Sequence, residues 1–262
     1  MSALLLPLLA SASANDMLLF VAIGFGAQRV DGALGMAYGL TATSILLSFG
    51  TTAAVASASV HAAEVFTTAT SGAAHWKLGN VNRAILLRLV PAGMAGGFLG
   101  AHILAAAPGD ALRPWVAGYL LLAGGVVLLR GLKGGAQPVS LAASTAMLVP
   151  LGFIGGFLDA IGGGGWGALV TTTLLCKGTR ARIAIGTASL AEFFVTLTIS
   201  ATFFASIGLA LWPVIIGLVI GGVLAAPLAA MAARHLPDRP LMILVGALIV
   251  LLALRQIVLA SG

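Results

Sequence analysis

Gly24–Gly39 reads GFGAQRVDGALGMAYG, and Gly152–Gly167 reads GFIGGFLDAIGGGGWG. An ungapped shift of 128 residues, from 24 to 152, lays one on the other, and both follow the pattern GFxxxxxDxxxGxxxG. The same shift carries Gly50 onto Gly178, Glu64 onto Glu192, Phe66 onto Phe194, and Thr68 and Thr70 onto Thr196 and Thr198. Abundant Gly and Ala raise the number of chance matches. A repeated Asp and a repeated Glu, in a chain with only 7 acids, do not come from composition. The chain therefore reads as two copies of one unit.

Composition says where that unit resides. Charged residues make up 8% of the 262-residue chain, against roughly a quarter in soluble domains. Apolar residues make up 60%, and the mean hydropathy is +1.12. So little charge cannot coat a soluble globule, which excludes a soluble enzyme, a disordered tail protein and a nucleic-acid binder. Hydropathy divides each half into five segments: 17–30, 33–49, 53–74, 84–107 and 113–130, then 141–158, 160–176, 181–205, 210–233 and 240–259. Ten spans of about 20 residues use about 200 residues and leave no room for an extramembrane domain. The expected fold is an all-α polytopic membrane protein. Residues 1–16 form an N-terminal extension, 17–133 the first repeat, 134–140 a connecting loop and 141–262 the second repeat. The apolar run Leu4–Ala10 followed by SASA imitates a signal peptide but lacks a basic n-region, and it is read as uncleaved.

The basic residues set the topology. Lys77, Arg83, Arg130, Lys133, Lys177, Arg180, Arg182, Arg234 and Arg239 lie in loops that crossing counts put on one side, and they are nine of the 13 cations. The positive-inside rule makes that side cytoplasmic and both termini external. Five segments is an odd number, so the second half enters the membrane from the opposite face, and the repeat is expected to be inverted. The first two segments of each half are short and joined through glycine, which favours discontinuous or re-entrant helices. Cys176 stands alone and supports neither an intrachain disulfide nor a thiolate cluster.

The doubled motif, with GGFLDAIGGGGWG at 155–167 after its first glycine, ASASVHAAEVFTT at 56–68, HWKLGNVN at 75–82 and IGTASLAEFF at 185–194, resembles the sulfite exporter TauE/SafE-like family. The resemblance covers the chain from about Gly24 onward. It implies an integral transporter of small anions such as sulfite, sulfonates or related organic acids, in a bacterial cytoplasmic membrane. It fixes neither substrate nor direction.

Moving an anion through hydrocarbon calls for donors that carry no mobile charge, and opened helix ends supply them as N–H groups at the positive end of the macrodipole. Gly32, Gly35 and Gly39, with Gly162, Gly163, Gly164, Gly165 and Gly167, stand at the expected breaks. They either cradle the substrate or permit close packing, as Gly93 with Gly97 and Gly217 with Gly221 are expected to do. Tyr38 and Trp166 either line the cavity with a polar tip or anchor helix ends, and Thr41, Thr43, Thr171 and Thr172 either add hydroxyl donors or bond their own helices. Asp31 and Asp159 are expected to cap the following helix, the alternative being a proton carrier. Glu64 and Glu192, in the middle of apolar segments, are candidates for proton coupling or for neutral structural hydrogen bonding. His61 stands three residues before Glu64 on the same face, and Arg29 is expected to pair with Asp31. No HExxH, P-loop or GxSxG occurs, the four histidines lack metal-ligand spacing, and the tetraglycine follows no strand. The reading is a non-enzymatic secondary transporter of small anions with no cofactor and no metal, protons as candidate coupling ion, and a channel or a non-transporting partner protein as alternatives.

Overall fold

The computed structural model describes residues 14–34, 38–107, 111–133, 145–177, 179–208, 212–232 and 238–261. Ten helical stretches follow in chain order: α1 Ala14–Leu34, α2 Tyr38–Ser48, α3 Ala53–Lys77, α4 Arg83–Ala106 and α5 Arg113–Lys133, then α6 Thr145–Gly162, a π-helical turn Gly167–Thr171 running into α7 Thr172–Cys176, α8 Ala181–Ile207, α9 Trp212–Ala232 and α10 Asp238–Ser261. No strand occurs among the described residues. Each hydropathy segment coincides with one of these stretches. The connecting loop at 134–140 and most of the N-terminal extension lie outside the described residues, and α1 begins three residues inside the expected extension.

Local chemistry sets the helix ends. Thr52 caps α3, its hydroxyl accepting from the Val55 N–H at 3.4 Å. Asn82 caps α4, its Oδ1 accepting from the N–H groups of Ala84 and Ile85 at 3.0 and 3.2 Å. Gly208 closes α8 with φ +70°, a conformation that suits glycine.

The helices are apolar outside as well as inside. Leu87, Phe98, Trp115, Leu122, Phe204 and Leu251 are exposed, while Leu40, Leu89, Ile199 and Phe203 fill the core. Thr43, Ser57, His61, Glu64, Asp159, Thr187 and Thr196 are buried among them. An apolar exterior over an apolar core that encloses a polar cluster suits lipid as the solvent. By length and apolarity α4, Pro114–Lys133 of α5 and Arg182–Ile207 of α8 qualify as spans, and shorter apolar runs lie in α1, α6, α9 and α10. The helix α2, with 11 residues, rises about 16 Å, and the ten residues from Gly167 to Cys176 rise about 15 Å. Each reaches about half-way across a hydrocarbon core of about 30 Å.

Glycine governs which helices pair. Along α4 and α6, a Cβ on Gly152 would meet the Leu89 carbonyl at 2.8 Å and one on Gly100 the Phe157 carbonyl at 2.7 Å, so these helices run parallel in close contact. The helices α1 and α9 do the same, with Gly217 against Phe20 and Gly221 against Val21 and Phe25. Under the 128-residue shift, α4 corresponds to α9 and α6 to α1, so the two pairs are counterparts. The fifth helices of the halves pair with each other: Gly124 faces Ile249 and Val250 while Gly246 faces Leu128, so α5 and α10 run antiparallel. The third helices pair likewise, with Gly72 on Leu190 and Gly186 on His75 and Asn80, so α3 and α8 are antiparallel too. Arginines tie the half-length helices to the opposite repeat. Arg130 of α5 donates to the Thr172 hydroxyl of α7, and Arg255 of α10 donates to the Ser48 carbonyl at the end of α2, 3.1 Å away.

Candidate functional site

The second motif copy breaks its helix through three consecutive glycines. Gly163, Gly164 and Gly165 have φ of +68°, +140° and +134°, which other residues adopt only under strain. Asp159, in the last turn of α6, bridges the break. Its Oδ1 accepts from the Trp166 N–H at 2.8 Å, and its backbone carbonyl accepts from the Gly164 N–H at 3.0 Å. The chain then resumes as a π-helical turn, a wide form found mostly at functional sites. In the first copy Asp31 Oδ1 accepts from the Tyr38 N–H at 3.4 Å. Asp31 and Tyr38 are the repeat counterparts of Asp159 and Trp166, so both breaks are bridged by the same bond across seven residues.

The start of α2 meets the break of the second copy. A Cβ on Gly39 would lie 2.6 Å from the Gly164 Cα and 2.8 Å from Glu64 Oε1, so the start of α2 rests against the opposite tetraglycine and beside a buried carboxyl group. Thr43 donates its hydroxyl to the Gly163 carbonyl, and Tyr119 of α5 donates to the Gly164 carbonyl at 3.1 Å. The N-termini of α2 and of the π turn thus converge at the junction of the halves, each bringing its positive end.

A buried polar chain from α3 joins them. His61 Nε2 stands 3.2 Å from Asp159 Oδ2 and 3.9 Å from Glu64 Oε2. Its Nδ1 lies 2.8 Å from the Ser57 carbonyl and 3.2 Å from the Ser57 hydroxyl, which is 2.6 Å from the Ala160 carbonyl. The His61 ring is fully enclosed, and Asp159 and Glu64 are 1% and 4% exposed. Among the described residues these two contacts of His61 are the places where a basic and an acidic side chain meet within 4.0 Å. Glu64 Oε2, Gln28 Oε1, Thr41 Oγ1 and Ser44 Oγ have no hydrogen-bond partner. Glu192 is half-buried on α8.

Several expected site residues are placed differently from the sequence reading. Arg29 does not pair with Asp31. Its guanidinium lies 5.8 Å from the Phe25 ring centroid, because residues two apart on a helix point to different faces. The polar tips of the motif aromatics are engaged: Tyr38 donates to the Leu218 carbonyl at 3.2 Å and Trp166 Nε1 to the Ala188 carbonyl at 3.1 Å. Gly162 and Gly165 lie against the Tyr119 ring, whereas Gly39, Gly163 and Gly164 lie at the contact between halves. Thr171 and Thr172 are buried on the resumed helix, Gly167 opens its π turn, Gly32 lies in the last turn of α1, and Gly35 lies outside the described residues. Sequence reasoning passed over Tyr119, Ser57 and Gln28. Ser57 was within reach, since it stands one turn before His61; nothing local marks Tyr119 as the partner of a loop 45 residues away.

The comparisons agree with this architecture. The family model described as sulfite exporter TauE/SafE matches residues 20–256. The chain is 43% identical over 250 residues to the "Probable membrane transporter protein YtnM" of Bacillus subtilis (strain 168), covering 93% of this chain and 83% of that protein. No solved structure gives a significant match. A family match spanning nearly all the described helices, with a probable membrane transporter as relative, makes this an integral membrane protein of the transporter type, and the chain belongs to the sulfite exporter TauE/SafE family.

Proposed function

We propose that the chain is a secondary transporter that moves small sulfur-containing or organic anions across the cytoplasmic membrane by alternating access, with protons as the coupling ion. The observation that carries the reading is the meeting of the start of α2 at Gly39 with the second motif break at Gly164, beside Glu64. Two helix N-termini converging at mid-membrane favour an anion without a fixed cation to trap it. Asp31 and Asp159 serve as caps that hold the breaks open, since each accepts the N–H of the residue that restarts the helix. Glu64 and Glu192 are the candidate proton carriers, and the unpartnered Oε2 of Glu64 leaves a position for a proton or a donor.

The inverted repeat is part of this proposal. A two-fold axis lying in the membrane plane makes each helix antiparallel to its own repeat counterpart wherever the two touch. An axis along the membrane normal makes them parallel. The antiparallel contacts of α5 with α10 and of α3 with α8 support the first arrangement. Such a relation lets the halves exchange conformations, turning an outward-facing state into an inward-facing one.

Uptake into proteoliposomes of sulfite, thiosulfate, sulfonates and carboxylates, with and without an imposed pH gradient, tests the proposal. Saturable uptake of at least one anion, accelerated by the gradient, is expected. Flux that rises linearly with concentration marks a channel, and absence of flux across the panel removes the transport reading.

A further inference from the structure

The segment HWKLGNVN at residues 75–82 takes no part in the central site, yet it borders a feature of its own. A cavity of about 520 Å³ opens between α3, α4 and α8, lined by Ala69, Ala73, Trp76, Leu190, Phe193 and Phe194, with Leu86 behind and Lys77 at one end. From Ala69 to Lys77 the α3 wall rises about 12 Å. Trp76 and Phe194 are partly exposed to the outside of the bundle, at 45% and 36%. At the Lys77 end the Arg83 guanidinium sits 4.9 Å from the centroid of the Trp76 ring. The turn between them is fixed: Asn80 lies against Gly186, and the Asn82 N–H donates to the Thr187 hydroxyl at 2.9 Å. That packing also brings the start of α8, with Arg182, to the same end. No acid occurs in residues 65–109 or 160–191, so the sequence around this end supplies cations without carboxylates.

We propose that this groove is a binding site for an anionic phospholipid, one acyl chain lying along Ala73, Leu190 and Phe193 and the phosphate held between Lys77 and Arg83. An apolar slot that ends in two cations matches the two parts of such a lipid, and basic pockets between helices on the cytoplasmic side are a recognised form of lipid site. A second copy of the chain fits less well, because a two-fold contact through this groove would bring like cations together.

Quenching of Trp76 by lipids brominated on one acyl chain tests the proposal. The purified full chain in detergent is titrated with brominated phosphatidylglycerol or phosphatidylcholine, and the signal of W76F is subtracted to isolate Trp76 from the other tryptophans. Half-quenching by phosphatidylglycerol is expected at roughly thirtyfold lower mole fraction than by phosphatidylcholine, the order that two cations near an anionic headgroup give. K77Q/R83Q removes that preference, K77R/R83K retains it, and inorganic phosphate does not displace the lipid. A73F, which fills the slot, lowers quenching by both lipids while helicity and elution volume stay unchanged. Equal quenching of wild type by the two lipids means an unselective lipid shell and overturns the proposal. So does a preference that survives K77Q/R83Q, displacement by inorganic phosphate, or a Trp76 that neither lipid reaches in a protein eluting as a dimer.

Discussion

His61 of the first repeat and Asp159 of the second hold each other at 3.2 Å in the enclosed centre of the protein, and this contact has no counterpart in the other direction, because Ser189 occupies the position equivalent to His61. The Asp159 carboxyl group is shared between two tasks, Oδ1 taking the Trp166 N–H and Oδ2 facing the histidine. Two halves built on one plan are therefore chemically unequal at their meeting point.

Thermal unfolding of H61N measures what that contact contributes. Removing one member of a buried ion pair costs about 3–5 kcal/mol, and of a neutral buried hydrogen bond about 1–3 kcal/mol, so the size of the loss reports the charge of the pair. The double variant H61N/D159N is expected to lose less than the sum of the single losses, with a coupling above about 0.5 kcal/mol. Strict additivity would mean that the two side chains do not interact.

Asp31 tests the cap whose carboxyl group has no histidine partner, since Ser189 stands where His61 would be. D31N keeps an oxygen for the Tyr38 N–H and is expected to match the parent in thermal stability, while D31A loses about 0.5–2 kcal/mol. If D31N falls as far as D31A, the charge of Asp31 matters rather than its hydrogen bond.

Gly163 combines a positive φ with a neighbour at contact distance, since an added Cβ would meet Thr43 Cγ2 at 2.6 Å. G163A is expected to cost at least about 1–2 kcal/mol through backbone conformation alone. T43A removes the clash but also the hydrogen bond to the Gly163 carbonyl, so T43A/G163A is compared with T43A alone and is expected to remain less stable by the conformational part. Equal stability of the two would show that the conformation at Gly163 costs an ordinary residue nothing.

For Glu64 and Glu192 the measurement is accumulation against counterflow. E64Q and E192Q fix the neutral form while keeping size and most hydrogen bonding. A proton carrier loses uptake driven by an imposed pH gradient but retains exchange of anion for anion. Unchanged gradient-driven uptake in E64Q, E192Q and the double variant would remove both residues from coupling.

Orientation is open to labelling in a C176S background. G79C, in the turn after α3, is expected to react with a membrane-impermeant thiol reagent only from the cytoplasmic side, and G208C, after α8, only from outside. Reaction of both from one side would contradict the antiparallel arrangement of the halves.

The ten stretches were legible because apolar runs and cationic loops leave a strong imprint on sequence, and the duplicated motif marked where the helices break. The bridging role geometry gives Asp31 and Asp159 follows from short side chains placed seven residues before a restarting helix. Other features depend on which helices touch. The engagement of Tyr38 with α9 and of Trp166 with α8, and the approach of Tyr119 to Gly164, are distant in sequence and leave no periodic signal. The expected Arg29–Asp31 pair does not form for a nearer reason: residues two apart in sequence lie on different helical faces, and Arg29 lies over Phe25 instead.

The pairing of α5 with α10 carries a consequence for register. Gly124 receives Ile249, and Gly246 receives Leu128, so each helix offers one hollow and one ridge to the other. The hollows are not at matching positions of the repeat, since Gly124 corresponds to Leu252 and Gly246 to Gly118. Sliding one helix along the other by a turn would set a ridge against a ridge, so this seam locks the last helix of the chain to the end of the first half in one alignment.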